Sequence, residues 1–359
     1  MRNTLLSTVF LLFTTIGLAA VITVKQDGSG HHTSIQAAYL AAATGDTVLV
    51  YPGIYYENLL IDDPGKNIII ASLNLTTQED SYITNTIIDG NQSGSVIRIR
   101  DTHQTAITIW GFTIRNGTGY GFNRRGGGLY INESSPSIIN CIIEKNVAVS
   151  GAGIFLLKSH CYLSGVTIRE NSAFNVGGGL FLTLDVVINF DSVNKSNIYL
   201  NHAANGADIS KSYLSPPQII ILDTFTVVNP DTYFIRSNDN MGFPVNDLTV
   251  QISHGLIEPI KNDLFVDPVN GSNANSGLTA DEPLKTICFA YKKVLPDSVN
   301  SNSIFLSNGV YSRTVNGERF PIQSRSYVNL VGECRYNTCL LYTSPSPRDR
   351  TRSRMPSSA

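Results

Sequence analysis

The chain has 359 residues, a formal net charge of -2 and only 15% charged residues. That balance provides no basic field to hold nucleic acid and no acidic run of the kind seen in disordered tails. The length allows two domains of ordinary size, and 29 glycines set among Val, Ile, Tyr and Phe point to strands joined by tight turns.

Met1-Arg2-Asn3 is positively charged, Leu5 to Leu18 is apolar, and Leu18-Ala19-Ala20 offers a small-residue cleavage site. This layout predicts a secretory signal peptide over 1–20 and a secreted or cell-surface mature chain. The apolar core is short for a retained anchor, and no later segment has the length and apolarity to span a bilayer once the signal is removed.

After a "DGSG" turn at 27–30, "TSIQAAYLAAATGDTVLVYPGIYYENLLI" begins at Thr33. It predicts a short amphipathic helix, an Asp before a strand, then Gly53-Ile54-Tyr55. Next come Asp62-Asp63 and Asp89, the latter in a Gly/Asn turn.

From 126 the chain repeats. Residues 126–146 read "GGGLYINESSPSIINCIIEKN", 151–171 "GAGIFLLKSHCYLSGVTIREN" and 177–201 "GGGLFLTLDVVINFDSVNKSNIYLN", with a weaker start, "GADIS", at 206. Each unit opens on Gly-x-Gly (Gly126 and Gly128, Gly151 and Gly153, Gly177 and Gly179) and closes on Ile-x-x-Asn at Asn146, Asn171 and Asn201. Three short strands in ~25 residues make one coil of a parallel solenoid, and coils stack ~4.8 Å apart.

That alignment stacks Leu129, Ile154 and Leu180 inside, and Ile131, Leu156 and Leu182 likewise. Arg115, Glu144 and Arg169 share an outward column. The three Asn residues fit either an amide ladder between coils or left-handed turn positions. The glycine runs open strands and recur, which excludes a dinucleotide cradle between a strand and a helix.

Residues 223–262 carry Pro230, Pro244 and Pro259 and lose the repeat, which predicts a linker or a small strand insertion. Then the chain starts again. "KTICFAYKKVLPDSVNSNSIFLSNGVYSRTV" begins at Lys285 with the same helix, Asp, strand and Gly309-Val310-Tyr311. An open solenoid end needs a cap, so 263–338 is expected to begin a second solenoid. The final "CLLYTSPSPRDRTRSRMPSSA", 339–359, has no apolar period. It resembles the translation of a sequencing adaptor, which would make it disordered and the natural chain longer.

"GGGLYINESSPSIINCIIEKN" and "TIRENSAFNVGGGLFL" resemble repeats of secreted bacterial right-handed parallel β-helix proteins of the pectin-lyase-like fold. They are also similar to repeats of polymorphic outer-membrane, adhesin-type proteins. The second start resembles the N-terminal module of bacterial β-helix proteins that carry a domain of unknown function. The resemblance implies an all-β, right-handed parallel β-helix over 21–222 with a short N-terminal capping helix, followed by a second, truncated module. The opening module also resembles that of pectinesterases, which use an Asp pair and an Arg in their central coils; no matching motif occurs here. Lyases of this fold hold Ca²⁺ with clustered carboxylates beside an Arg or Lys base. Asp62, Asp63 and Asp185 are the candidate ligands if the chain is a lyase, although the sequence assigns them to no cluster, and no other cofactor is indicated. The five cysteines show no zinc spacing, and Cys141 reads as a small core residue.

Binding candidates fall in two places. The insertion "GTGYGFNRR" puts Tyr120, Phe122, Arg124 and Arg125 on a projecting loop, where rings can stack on sugars and Arg can pair with uronate carboxylates. The column Tyr130, Phe155 and Phe181 alternates with the core stacks and is expected to point outward as an exposed stripe, unless a loop covers it. The expected function is a monomeric secreted or surface protein that binds a polysaccharide, a surface glycan or a protein partner. A carbohydrate-active lyase, esterase or hydrolase and an adhesin-type stalk are the alternatives, with no activity identifiable from the motifs.

Overall fold

A computed structural model describes residues 19–103, 105–238 and 247–341. Most of the signal segment and the tail beyond 341 lie outside them. The chain is a right-handed parallel β-helix in which each coil adds one strand to each of three parallel sheets. Sheet 1 runs from Val21–Val24 to Val187–Phe190, sheet 2 from Leu59–Ile61 to Ile235–Asn238, and sheet 3 from Gly53–Tyr56 to Leu248–Gly255. Within 223–262 the described strands Ile235–Asn238 and Leu248–Gly255 add to sheets 2 and 3: Ile209–Ser212 pairs with Ile235–Asn238, and Gln218–Phe225 pairs with Leu248–Gly255 along their lengths. Apolar alternation in "QIIILDTF" keeps the strand even though the Gly-x-Gly signal has gone.

The register matches the repeat alignment residue for residue. Leu129 faces Ile154 and Ile154 faces Leu180, and Ile131, Leu156 and Leu182 do the same one pleat along. All six are fully buried. Burying each such side chain is worth about 1.5–3 kcal/mol, and only the neighbouring coils supply the burial. The second column turns polar at Lys211 and Ser237; the Lys211 ammonium is buried, donates to Ser215 O at 2.7 Å and pairs with Asp247 at 2.5 Å. Outside sheet 3, Asp89, Arg115, Glu144 and Arg169 lie in one column, with ion pairs of 3.0 Å (Asp89–Arg115) and 2.7 Å (Glu144–Arg169).

Two corners are held by amides. At one, Asn146 Nδ2 donates to Asn171 Oδ1, Asn171 Nδ2 to Asn201 Oδ1, and Asn201 Nδ2 to Asp208 Oδ1, each at 3.0 Å. The backbone N–H groups of Asn146, Asn171 and Asn201 donate to the same oxygens. The left-handed positions are the residues just before, Lys145, Glu170 and Leu200, so the Asn side chains are free to serve as the ladder. At the other corner, the Trp110 indole donates to Asn74 Oδ1 at 2.9 Å, and Asn140 and Asn194 extend the row.

The second start repeats the first in three dimensions. Helix Ile35–Ala41 is capped by Ser34, and its first amides donate to Glu57 at 2.8 and 2.9 Å. Helix Ile287–Lys293 is capped by Thr286, and its first amides donate to Glu318 at 2.7 and 3.0 Å. A carboxylate there offsets the positive end of the helix. The Tyr55 and Tyr311 hydroxyls donate to matching carbonyls, those of Tyr51 and Ser307. Strands Leu264–Val266, Asn302–Leu306 and Val328–Gly332 then stack in parallel. The strand Thr338–Leu341 pairs with Gly309–Ser312, so order extends three residues past the boundary expected at 338.

The two helices differ in what covers their outer face. Leu40 is 67% exposed, whereas Lys292, at the matching position, is 4% exposed, because the second helix lies on the end of the first solenoid. Lys292 Nζ sits 5.7 Å from the Tyr233 ring centre, and Arg319 donates to Leu200 O at 3.2 Å. Arg325 closes the joint. It donates to Tyr291 O and Val294 O at 2.8 and 2.9 Å, pairs with Asp231, and stacks on Tyr233 and Phe234.

Two buried groups at this joint titrate in opposite senses. Burial, then Lys292 and Arg319, holds the His202 imidazole well below its ordinary 6.5. Burial raises the Asp208 carboxyl to about 6, against the pull of Thr226, Lys292 and Asn201. Cys288 and Glu318 are the other ionisable groups around Lys292. Between about pH 4 and 6 the folded chain carries a proton on Asp208 that the unfolded chain lacks, and the unfolded chain carries one on His202 that the folded chain lacks. The two slopes oppose each other. His202→Gln should therefore make the chain gain stability, relative to the parent, as pH falls from 7 to 5. Asp208→Asn should make it lose stability over the same window, each by up to about 1.4 kcal/mol per pH unit. Urea midpoints at the two pH values check both signs.

Candidate functional site

Strand alternation sends every second residue of sheet 2 outward. One outward column runs Arg98, Tyr130, Phe155, Phe181. The rings form a continuous row: Tyr130 and Phe155 stack with centres 5.5 Å apart, Phe155 meets Phe181 edge-on at 5.8 Å, and Tyr120 joins the other end at 5.1 Å from Tyr130. Such pairs add roughly 0.5–1.5 kcal/mol beyond burial. Arg98 lies over the Tyr120 ring at 4.8 Å and Arg125 over Phe155 at 5.3 Å.

The loop of the insertion folds back on this row. Tyr120 and Arg125 exchange backbone hydrogen bonds of 2.7 and 3.0 Å, Gly126 N donates to Ser150 O, and Val149 N donates to Arg124 O. This pins the loop to the strand Val147–Ser150 and drapes it over Phe155. The expected open stripe of Tyr130, Phe155 and Phe181 is thereby corrected: Phe155 is 1% exposed and supports its neighbours from below, while Tyr130 and Phe181 remain half-buried. Burial also raises the Tyr130 phenol above its ordinary value. What faces water is Tyr120, the tip residue Phe122, which is fully exposed, and Phe174 on the adjoining strand Ser172–Val176. Arg124 is tied to the loop through Thr118 O.

Arg98, Arg100 and Phe174 escaped the sequence reading. The alternation in "VIRIR" places both arginines outward, but that strand lacks the Gly-x-Gly start that aligned the later coils. Arg100 pairs with Asp62 at 3.1 Å, which holds its guanidinium charged more firmly. Arg98, Arg124 and Arg125 pair with no carboxylate among the described residues, whereas Arg115 and Arg169 are each held by one.

The residues suggested as Ca²⁺ ligands do not meet. Asp62 serves Arg100, Asp63 accepts from Gly65 N, and Asp185 has a left-handed backbone in an outer turn. Among the described residues no group of three His, Cys, Asp or Glu is placed to hold a metal ion, so these carboxylates do not fit such a site. Asp89 is bound up in its turn and its pair with Arg115. Burial raises the Cys141 thiol to about 11, which suits a core residue.

Comparison with known proteins gives the following. A protein family described as "Protein of unknown function (DUF1565)" matches residues 269–346, most of the second module. No curated protein matches the sequence. Among solved structures the chain is similar to a pectin methylesterase from carrot, at 12% identity over 92% of this chain and 87% of that one, with a TM-score of 0.35. It is also similar to the Aspergillus niger pectin methylesterase in deglycosylated form, at 14% identity over 66% and 87%, TM-score 0.29. A pectin methylesterase variant in complex with a hexasaccharide gives 11% identity over 76% and 94%, TM-score 0.34.

Proposed function

We propose that this is a secreted β-helix protein that binds acidic glycans on the outer face of sheet 2. The observation that carries this reading is the contrast among its arginines. On sheet 3, Arg115 and Arg169 are each held by a carboxylate one coil away, and Arg100 is held by Asp62, while Arg98 and Arg125 lie over rings of the aromatic row, and they and Arg124 of the same loop have no acid partner among the described residues. Ring faces take the apolar side of a sugar, and a guanidinium takes a uronate or sulfate group bidentately. Secretion rests on the charged, apolar and small-residue order of 1–20; no helix among the described residues is long and apolar enough to cross a membrane.

Retention on immobilised polygalacturonate tests the reading. The parent chain should be held at low salt and released as salt rises. Tyr120→Ala with Arg98→Ala should lower the affinity at least tenfold. Tyr120→Ala with Arg124→Ala should weaken retention as well. Retention that is unchanged in both pairs would sink the proposal. Unsaturated products released during the same incubation, or methanol released from methyl-esterified pectin in a parallel one, would place the chain among the enzymes instead.

A further inference from the structure

The column that carries the aromatic row does not stop at Phe181. Its register continues to Ser210 and then to Arg236, five strand spacings from Arg98, or roughly 24 Å. Arg236 lies on the wall of a cleft of about 480 Å³ between the last coil of the first solenoid and the second module. That volume is in the range of saccharide-sized ligand sites.

The cleft combines features that the aromatic row has and one that it lacks. Arg236 and Arg325 line it together with Tyr233 and Tyr327. Asp231, also on the wall, is spent on Arg325. Gln323 completes it, and its Oε1 is buried and accepts no hydrogen bond. An orphaned buried acceptor costs about 1–3 kcal/mol. A ligand hydroxyl directed at Gln323 would remove that cost, while Arg236 would take an adjacent carboxylate. Hydroxyl and carboxylate side by side on one ring describe a uronic acid residue.

We infer that the cleft between the two solenoids is a second saccharide subsite, and that a linear acidic polysaccharide lies along sheet 2 from Arg98 to Arg236 and enters it. This rests on the glycan-binding reading of the face. The second module thereby becomes part of the binding surface, because without its residues Gln323, Arg325 and Tyr327 the far end of that surface has only one wall.

Calorimetric titration of the full chain with tetrameric and octameric galacturonate tests this. The octamer should bind the parent at least tenfold more tightly than the tetramer. Gln323→Leu, which keeps size and removes the acceptor, and Arg236→Ala should each erase most of that gain and leave tetramer affinity within twofold. Gln323→Glu, which sets a carboxylate against the ligand's own, should erase it as well. Arg98→Ala should weaken both lengths together. Equal affinity for the two lengths in the parent, or a length gain that survives all three cleft variants, overturns the subsite while leaving the face intact. A parent that binds neither oligomer removes the glycan-binding face, and the subsite with it.

Discussion

Asn171→Ala should lower the thermal midpoint by roughly 10 °C, and Asn175→Ala, four residues on and exposed, should barely move it. Asn171 is fully buried and its side chain makes four hydrogen bonds. Its oxygen accepts from Asn146 N and Nδ2, and its amide donates to Ile143 O and Asn201 Oδ1. Alanine leaves the Asn146 N–H without that acceptor and Ile143 O without that donor in a dry corner, at about 1–3 kcal/mol each. A small void adds to the cost, giving about 4 kcal/mol in all. The ladder is shared, so Asn146→Ala and Asn171→Ala together should cost less than the sum of the two, because the bond between them is lost only once. Urea midpoints for the single and double variants measure that coupling. Strict additivity would show that the amides act one by one.

Gly178→Ala should be as damaging by a different route. A Cβ at Gly178 would sit 2.3 Å from His202 O and 2.4 Å from Ala207 O. Both are backbone atoms of the next coil, so the coils themselves must part. The cost is about 3 kcal/mol or more, at the upper end for overpacking. Gly65→Ala supplies the control, since its nearest neighbour beyond the adjacent residues would be Asp63 Oδ1 at an ordinary 3.5 Å. A midpoint for Gly178→Ala within error of Gly65→Ala would mean that the coils are not stacked as closely as described. Gly177, beside it, has φ +60°, so the three glycines of "VGGGLFL" serve both a turn and a close approach between neighbouring coils.

Reading the sequence recovered those parts of the fold that repeat at fixed spacing. Leu129, Ile154 and Leu180 fell into register because Gly-x-Gly marks each coil at the same place. The column of Arg115, Glu144 and Arg169 followed from the same alignment. The first coils have no such mark, so Arg98 and Arg100 went unnoticed although their strand alternates as clearly as the later ones. Prolines at 230, 244 and 259 hid the last coil, because turn lengths there vary while strand alternation persists. The candidate site was legible as a set of residues but not as an arrangement. Nothing local in "GTGYGFNRR" shows that the loop folds over Phe155, since its backbone partner, Ser150, belongs to the next turn. The joint was beyond reach for the same reason. His202, Asp208 and Lys292 meet only because one helix closes the end of a solenoid built from residues far earlier in the chain.

That joint fixes where the chain can be divided. A fragment ending at 222 would lack Tyr233 and Phe234, which supply the end on which helix Ile287–Lys293 rests. A fragment beginning at 263 would release Lys292 and Cys288 into water on a helix face with no partner. Contacts of Lys292, Arg319 and Arg325 with the first solenoid cross the boundaries suggested by proline content. A graft of the second module onto another solenoid would have to carry the acceptor end with it, Leu200 to Phe234 together with Arg319 and Arg325. The unit of exchange in this protein is therefore the seam between the two solenoids, with both of its sides, and not either solenoid alone.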